Sequence, residues 1–374
     1  MSPEFSAADH QSMARALSLA ELGLHTTTPN PRVGCVIVKD RQIVGEGWHR
    51  RAGEPHAEVR ALQFAGDQAR GATVYVTLEP CSHHGRTPPC AAALLSAGVG
   101  RVVAAMQDPN PLVSGQGLAF LRDAGVRVQC GLMEDEAREI NIGFVARMTR
   151  ARPWLRLKMA ASLDGKTALK NGASQWLTGP AARHDGHRWR ARACAILTGI
   201  GTVRDDDPQL NVRGVEALDG ADGVSRQPLK VVVDSRLELA AGARIFADAA
   251  KGRVLVAAAV ADGDRRAALE RRGAEVLLLP GAAGRVDLSA LLGELARRGI
   301  NEVHGEAGFR LSGSLLAAGL VDELLLYLAP CLLGDVAQGM FDLPALESLA
   351  GKRQLLIRDL RCVGPDLRLL VRFS

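Results

Sequence analysis

Apolar residues recur at helical spacing near the start of the chain. Met13, Ala16, Leu17 and Ala20 predict a helix over 7–23, closed by Gly23. A turn-rich stretch, TTTPNPRVG, follows. VGCVIVKD and QIVGEGWH then read as two strands joined at Asp40-Arg41. HAEVRALQFAG predicts a short helix whose first turn presents His56. TVYVTLEP predicts a strand ending at Pro80, and PCAAALLSAG a helix with Cys90 at its start. RVVAAM, GQGLAFLRDAG and VRVQCG continue as strand, helix and strand. Alternation of this kind predicts a mixed three-layer α/β/α sandwich.

The stretch RMTRARP, residues 147–153, is basic, poor in large apolar residues and ends in Pro153. It reads as a junction, dividing the chain into domains 1–150 and 151–374; a solvated helix end fits the same residues. A second series then begins. WLRLKMAASLDG, ACAILTGIGT, LKVVVDS, RVLVAAA and AEVLLLP predict strands, DLSALLGELARRG an amphipathic helix, NEVHGEAG a strand entering a glycine turn, and SGSLLAAG a helix. VDELLLYLAP closes the run, and the tail from Gln354 is expected to pair as edge strands. Repeated strand–turn–helix units predict a largely parallel sheet with a crevice at its strand ends.

At roughly 100–200 residues per domain, 374 residues suggest two or three domains. Aromatics are only 4%, so aliphatic side chains must fill the cores. A net charge of +5 is mild, with no basic clustering or interleaved aromatics, which excludes an evident nucleic-acid groove and suits a phosphorylated small substrate. The N-terminus lacks the pattern of a signal peptide, and no apolar run approaches the ~20 residues of a membrane span. Seven scattered cysteines then indicate reduced thiols in a cytoplasm. The sequence leaves open a homo-oligomer through the apolar VDELLLYLAP strand.

The chemistry lies in PHAEVRAL and LEPCSHHGRTPPCAAAL. His56, Cys81 and Cys90 supply one imidazole and two thiolates, a three-ligand zinc set that leaves a fourth position open for water. Helix starts at His56 and Cys90 carry partial positive charge, which favours thiolate. Glu58, two residues from His56, is placed to take a proton from water and return it to a leaving nitrogen. Eight residues separate Cys81 from Cys90, where the generic deaminase motif has two. That insert reads either as a polar surface loop or as a clamp in which His83, His84 and Arg86 meet a phosphate; either histidine is also an alternative ligand. Asn30, between Pro29 and Pro31, offers a donor and an acceptor to the edge of a pyrimidine.

The second half has no G-x-G-x-x-G: Gly199 and Gly201 are followed by Arg204 at the third position. GEAGFRLSGS, with Gly305, Gly308 and Gly313, is the better phosphate cradle.

TPNPRVGCVIV, GEPHAEV, TLEPCSHHGRTPPC and QDPNP, continued by KMAASLDGKTA, SQWLTG, DDDPQLNVR, VVDS, GEAG and LVDELLLY, resemble the bifunctional deaminase–reductases of bacterial riboflavin biosynthesis over nearly the whole chain. The long insert between the cysteines is a feature of that family. The resemblance implies an α/β protein: a cytidine-deaminase-like zinc domain followed by a dihydrofolate-reductase-like domain that uses NADPH. It implies hydrolysis of the 2-amino group of 2,5-diamino-6-ribosylamino-4(3H)-pyrimidinone 5′-phosphate, then reduction of the ribosyl side chain to ribityl. It also implies zinc on His56, Cys81 and Cys90, with Glu58 as proton carrier. Ala160, Trp176, Thr202, Asp206, Ser235 and the segment Gly308, Phe309, Arg310, Leu311, Ser312, Gly313, Ser314 would line the NADPH site. Ser174, Arg190, Leu210, Arg213 and Glu306 would meet the substrate, with Arg190 and Arg213 as phosphate ligands. Lys158, Asp206 and Glu306 are the candidates for proton transfer during opening of the ribose ring, with Lys158 at a strand end. Arg236, beside Ser235, is the candidate for the cofactor's 2′-phosphate. A nucleic-acid deaminase with an appended domain, a zinc-stabilised nucleotide sensor, and a chain with one active half are the competing readings.

Overall fold

The structure, a computed structural model, describes residues 5–82, 89–111, 113–215, 226–247 and 253–373. The chain forms two compact units, the first ending at Ala151 and the second beginning at Arg152.

The first unit is built from helices α1 (Ala7–Glu21), α2 (Ala57–Ala65), α3 (Cys90–Ser96), α4 (Gln116–Asp123), α5 (Glu134–Ile140) and α6 (Ile142–Arg150), and from strands β1 (Gly34–Lys39), β2 (Gln42–Trp48), β3 (Thr73–Val76), β4 (Arg101–Ala104) and β5 (Arg127–Cys130). The sheet order is β2-β1-β3-β4-β5. β1 and β2 form the expected hairpin. Asp40 and Arg41 both take φ near +50 to +64, the left-handed pair that matches a two-residue hairpin turn to strand twist. β3, β4 and β5 run parallel.

Alternate residues of the central strands serve opposite apolar layers, as the two-residue period requires. Cys35, Ile37, Val74, Val76 and Val102 pack with Ala57, Ala61, Ala91, Leu94 and Leu121 of α2, α3 and α4. Val36, Tyr75 and Val103 pack with Met13, Ala16 and Leu17 of α1 and Ala137 of α5. A Cβ at Gly45 would lie 2.2 Å from the Ala61 carbonyl, and one at Gly47 2.5 Å from that of Ala57. Both glycines let α2 settle directly on β2, which fixes where His56 emerges.

Asp9 staples α1 to the sheet. It completes a capping box with Ser6 and accepts from Tyr75 Oη and Arg101 Nη1, both at 2.7 Å. Burial opposes its ionisation, but these donors win and hold the carboxyl well below the usual carboxylate range. Its contribution to stability is therefore present above the unfolded-state pKa of ~3.9 and lost as pH falls through the depressed folded value. Asp9→Asn is expected to destabilise this unit by about 1.5–3 kcal/mol, the scale of hydrogen bonds to a charged group, read by urea denaturation at pH 7.

One sequence expectation needs correction here. The third strand stops at Val76 rather than Pro80. Thr77 still bonds Gly34, but Glu79 N–H turns to the Met106 carbonyl, so the chain leaves β1. Residues 147–150 form the last turn of α6, ended by Ala151 at φ 53, so the stretch read as a junction opens as a helix end. Basic residues suit a helix C-terminus, and Arg147 lies over the Phe144 ring.

The second unit comprises β6 (Trp154–Ser162), β7 (Lys166–Ala168), α7 (Pro180–Arg192), β8 (Ala195–Gly199), α8 (Ile200–Asp206), β9 (Leu229–Val233), β10 (Val254–Ala258), α9 (Gly263–Glu270), β11 (Ala274–Leu278), α10 (Leu288–Arg297), β12 (Glu302–Gly305), α11 (Phe309–Ala317), β13 (Glu323–Ala329), β14 (Gln338–Gly339), β15 (Leu355–Val363) and β16 (Asp366–Phe373). Its nine-stranded sheet has the order β11-β10-β9-β8-β12-β6-β13-β16-β15, and β7 pairs with β14 separately. The first seven strands are parallel; β16 and β15 are antiparallel, as expected of the tail. β12 inserts between β6 and β8, two strands formed much earlier in the chain. That reversal of order opens a crevice at the carboxyl ends of these three strands.

Leu155, Leu157, Leu197, Val231 and Val303 pack with Leu291, Leu295 and Leu315 of α10 and α11. The alternate side chains of β6 face α7, and this layer is ionic. Arg156 is buried over the Trp189 ring and pairs with Glu302 and Glu323, which Arg192 and Arg372 also neutralise. Lys158 lies in mid-strand on the same face, not at the strand end, and its ammonium stands 5.9 Å from the Tyr327 ring centroid.

Candidate active sites

His56 caps α2 in extended conformation, so its side chain projects from the helix start. Cys90 is the first residue of α3, and Cys81 follows the turn after β3. His56 Nδ1 lies 3.2 Å from Cys90 Sγ and 3.6 Å from Cys81 Sγ, and one donor atom from each residue lies within 4.8 Å of the others. Zinc bonds of about 2.0 Å to nitrogen and 2.3 Å to sulfur, at tetrahedral angles, put neighbouring ligand atoms about 3.4–3.8 Å apart. The donor set and its spacing therefore fit zinc.

Backbone contacts lock the set. Cys90 N–H donates to Cys81 Sγ at 3.3 Å, and Ala91 N–H to the Cys81 carbonyl at 3.1 Å. Of the coupled thiols, Cys81 is driven toward thiolate by a hydrogen bond from Cys90 and then by His56, while Cys90 is driven the other way.

Glu58 sits in the first turn of α2 and is 3% exposed. Its Oε2 is buried with no hydrogen-bond partner among the described residues. Burial pushes its carboxyl up to about 7, against the pull of His56. An unsatisfied carboxyl oxygen beside three metal donors suits a group that must exchange a proton.

The sequence did not single out His49. Its ring meets that of His56 edge to face at 5.3 Å, and its Nε2 lies 3.1 Å from Asn30 Nδ2. Burial lowers its pKa to about 4, so it is neutral; Nδ1 donating to the Pro55 carbonyl leaves Nε2 to accept from Asn30. Asn30 is thus linked to His56 through His49. His83, His84 and Arg86 lie outside the described residues.

At the crevice of the second unit, Glu306 follows β12 and takes both oxygens to Arg190 of α7, through Nη2 at 2.8 Å and through Nε. Arg190 Nη1 donates to the Asn211 carbonyl. The fork expected to hold phosphate is thus already engaged. Burial opposes ionisation of Glu306, but the Arg190 charge and hydrogen bonds hold its carboxyl well below the usual range. His304, missed by the sequence reading, is fully buried with Nε2 3.4 Å from Glu306 Oε1. Burial pushes Lys158 down, while Glu306 pulls it up and Arg190 pushes it down. Lys158, Glu306, Arg190 and His304 therefore form one electrostatic cluster.

Arg213 Nη1 donates to Asn211 Oδ1 at 2.7 Å, and its backbone N–H to His187 Nδ1. Burial, then Arg190 and Arg244, lower its pKa, the mark of crowded positive charge. Leu210 is buried at φ 49 nearby in the chain. Asp206 ends α8, exposed, and accepts from Gln175, which joins Ser174 to Trp176. Trp176 is 71% exposed beneath the Arg183 guanidinium. The structure ties Asp206 to that loop, whereas Lys158 and Glu306 share the cluster above.

The glycine segment differs from the expected cradle. Gly308 caps α11, which starts at Phe309, and a Cβ there would lie 3.4 Å from Thr202 Oγ1. Ser312 and Gly313 are enclosed inside that helix: Ser312 Oγ donates to the Ala307 carbonyl, and a Cβ at Gly313 would lie 2.1 Å from the Asp342 carbonyl. Leu311 packs into the core. Gly308, Phe309, Arg310, Leu311 and Ser314 keep exposed or partly exposed surface, and Ser312 and Gly313 are buried. Ser235 lies in the turn after β9, its hydroxyl accepting from Val286 N–H, and Ala160 is half-buried in β6.

Comparison with known proteins identifies both units. Residues 6–106 match the cytidine and deoxycytidylate deaminase zinc-binding region, and residues 153–367 match the RibD C-terminal domain. Riboflavin biosynthesis protein RibD of Escherichia coli is 50% identical over 364 residues, 96% of this chain and 98% of that protein. The chain belongs to the RibD family. The protein of the same name from Haemophilus influenzae is 46% identical, covering 98% of each chain. The solved structure of Acinetobacter baumannii RibD superposes with a TM-score of 0.90 at 44% identity, covering 98% of this chain and 99% of that one. A Thermotoga maritima structure named as a diaminohydroxyphosphoribosylaminopyrimidine deaminase/5-amino-6-(5-phosphoribosylamino)uracil reductase has a TM-score of 0.84 at 31% identity, covering 98% and 99%. Membership makes the chain a bifunctional riboflavin-biosynthesis enzyme, a zinc-dependent deaminase joined to an NADPH-dependent reductase. Among the described residues no helix is long and apolar enough to cross a membrane.

Proposed function

We propose that residues 1–150 hydrolyse the 2-amino group of 2,5-diamino-6-ribosylamino-4(3H)-pyrimidinone 5′-phosphate, and that residues 151–374 then reduce the ribosyl side chain to ribityl. The observation that carries the first step is the buried Glu58 carboxyl, its Oε2 without a partner among the described residues, beside the His56, Cys81 and Cys90 donors. Zinc held by those three residues supplies a Lewis acid that brings the pKa of water toward neutrality. Glu58 accepts the proton that water loses and delivers it to the departing nitrogen. Asn30, oriented by neutral His49, holds the pyrimidine edge, and His83 and Arg86 of the loop between the cysteines are assigned to the phosphate.

For the second step, NADPH supplies the hydride. Lys158 donates a proton to the ring oxygen as the C1′–O bond breaks, and Glu306, kept anionic by Arg190, takes the exocyclic N–H proton as the C1′=N bond forms and returns it once hydride reaches C1′; Asp206 is the outlying candidate for this work. Arg190 orients Glu306, so Arg213 becomes the principal phosphate ligand, with Ser174 and Leu210 beside it. Ala160, Trp176, Thr202, Asp206, Ser235 and the open end of the segment from Gly308 to Ser314 border the cofactor. The enzyme is assigned to the cytoplasm, acts on a free nucleotide-like substrate rather than on nucleic acid or at a membrane, and is compatible with a homo-oligomer.

The test supplies the diaminopyrimidine phosphate and follows ammonia release and NADPH oxidation separately. Ammonia is expected without NADPH, and NADPH oxidation only after ammonia has been released. Oxidation of NADPH at the undeaminated substrate would reverse the proposed order, and ammonia release without any oxidation would leave one half inactive.

A further inference from the structure

Glu79 lies two residues before Cys81 and is 3% exposed. Its carboxylate gathers four backbone N–H groups from one distant segment. Oε2 accepts from Asp108 at 3.1 Å and Gly115 at 2.8 Å. Oε1 accepts from Gly117 at 2.8 Å and Leu118 at 3.3 Å. Gly117 and Leu118 belong to the first turn of α4, so Glu79 closes from outside a helix start whose N–H groups have no partner within the helix. A helix N-terminus also favours a negative charge.

The same turn is touched a second time. A Cβ at Gly117 would lie 1.9 Å from the Pro80 carbonyl, so α4 rests directly on the peptide that links Glu79 to Cys81. From the other side, α3 binds Cys81 through Ala91 N–H and Cys90 N–H. The Pro80–Cys81 turn is therefore held between two helix starts, and the side chain that ties it to α4 is Glu79.

We infer that Glu79 is a positioning residue for the metal: by binding the loop of residues 108–115 and the start of α4, it fixes where Cys81 places its sulfur. This rests on the reading of Cys81 as a zinc ligand. A group one step behind a ligand characteristically changes metal affinity or activity about 10–100-fold when lost. Glutamine has the same shape but turns an NH2 donor toward two of the four N–H groups, so the loop must let go.

The full-length chain is compared as wild type, Glu79→Gln, Glu79→Asp and Asp9→Asn. Asp9→Asn loosens the same unit from the opposite face of the sheet without touching Cys81. Zinc affinity is read by chelator competition, and ligand geometry by the thiolate-to-metal absorption of the cobalt(II)-substituted protein. Glu79→Gln is expected to weaken zinc about 10–100-fold and to alter the cobalt spectrum. Glu79→Asp, which keeps the charge but draws it back by one methylene, falls between it and the wild type and carries the comparison should Glu79→Gln not fold. Asp9→Asn is expected to keep wild-type values for both. A wild type that binds no zinc refutes the ligand assignment itself. A wild type that binds zinc, with Glu79 variants identical to it in affinity and spectrum, overturns the positioning role. So does an Asp9→Asn protein that shows the same loss, since Glu79 would then act only through stability.

Discussion

Glu58→Gln is expected to lower ammonia release about 10²–10⁴-fold, the range that a positioned proton carrier contributes. Zinc content, read by elemental analysis, stays at the wild-type level, and NADPH oxidation with the deaminated substrate is unchanged. The reason is local. Glu58 is not one of the three donors, and its Oε2 makes no hydrogen bond among the described residues, so the substitution removes no ligand and breaks little structure. Glutamine fills the same volume but can neither take nor return a proton. Burial raises the native carboxyl above the usual carboxylate range, against the pull of His56. Deamination within tenfold of wild type in a zinc-loaded Glu58→Gln protein would remove this residue from the reaction.

Arg190→Leu is expected to act in the other half. It strips Glu306 of the guanidinium that binds both its oxygens, leaving His304 and Lys158 beside it. With the Arg190 charge gone, burial is opposed by less and the carboxyl pKa rises. In linkage terms, the depressed pKa of Glu306 stabilises the fold above its unfolded value of ~4.3 and ceases to do so as pH falls through the folded value. Arg190→Leu removes that contribution at neutral pH. Breaking a buried pair from one side costs about 3–5 kcal/mol, and loss of a preorganised charge costs about 10²–10³ in turnover. NADPH oxidation at saturating substrate should fall on that scale, with the melting temperature of the second unit lowered and ammonia release unaffected. Unaltered NADPH turnover in this variant would show that the Arg190–Glu306 pair serves stability alone.

These expectations differ in how much of them was legible in the sequence. His56, Cys81 and Cys90 stand at the ends of elements that hydrophobic period alone locates, so their convergence follows from the alternation of strand and helix. The hairpin at Asp40-Arg41 and the largely parallel second sheet are legible on the same ground. Contacts between residues far apart in sequence are not. Glu306 and Arg190 each look like ordinary charged residues, and only the placement of α7 over β12 makes them partners. Lys158 reads as a residue at a strand end, because the sequence shows the strand without showing where it stops, and β6 runs on to Ser162. Gly313 reads as part of a phosphate loop, yet its missing Cβ makes room for the backbone at Asp342. Residues 147–150 read equally as a junction or a helix end, because the two share a composition, and α6 shows the helix end. Glu79 stood inside a quoted motif without a role, since its four partners come from a segment after β4.

The position of β12 in the second sheet also bears on how the protein comes into being. During translation, β6 and β8 leave the ribosome long before the strand that will lie between them. Until β12 arrives, each presents an unpaired seam at what will become the middle of the domain, and contacts spanning such separations make folding slow. Nascent chains stalled before β12 are therefore exposed to mispairing and chaperone capture, and the reductase is born only when its last central piece slides home.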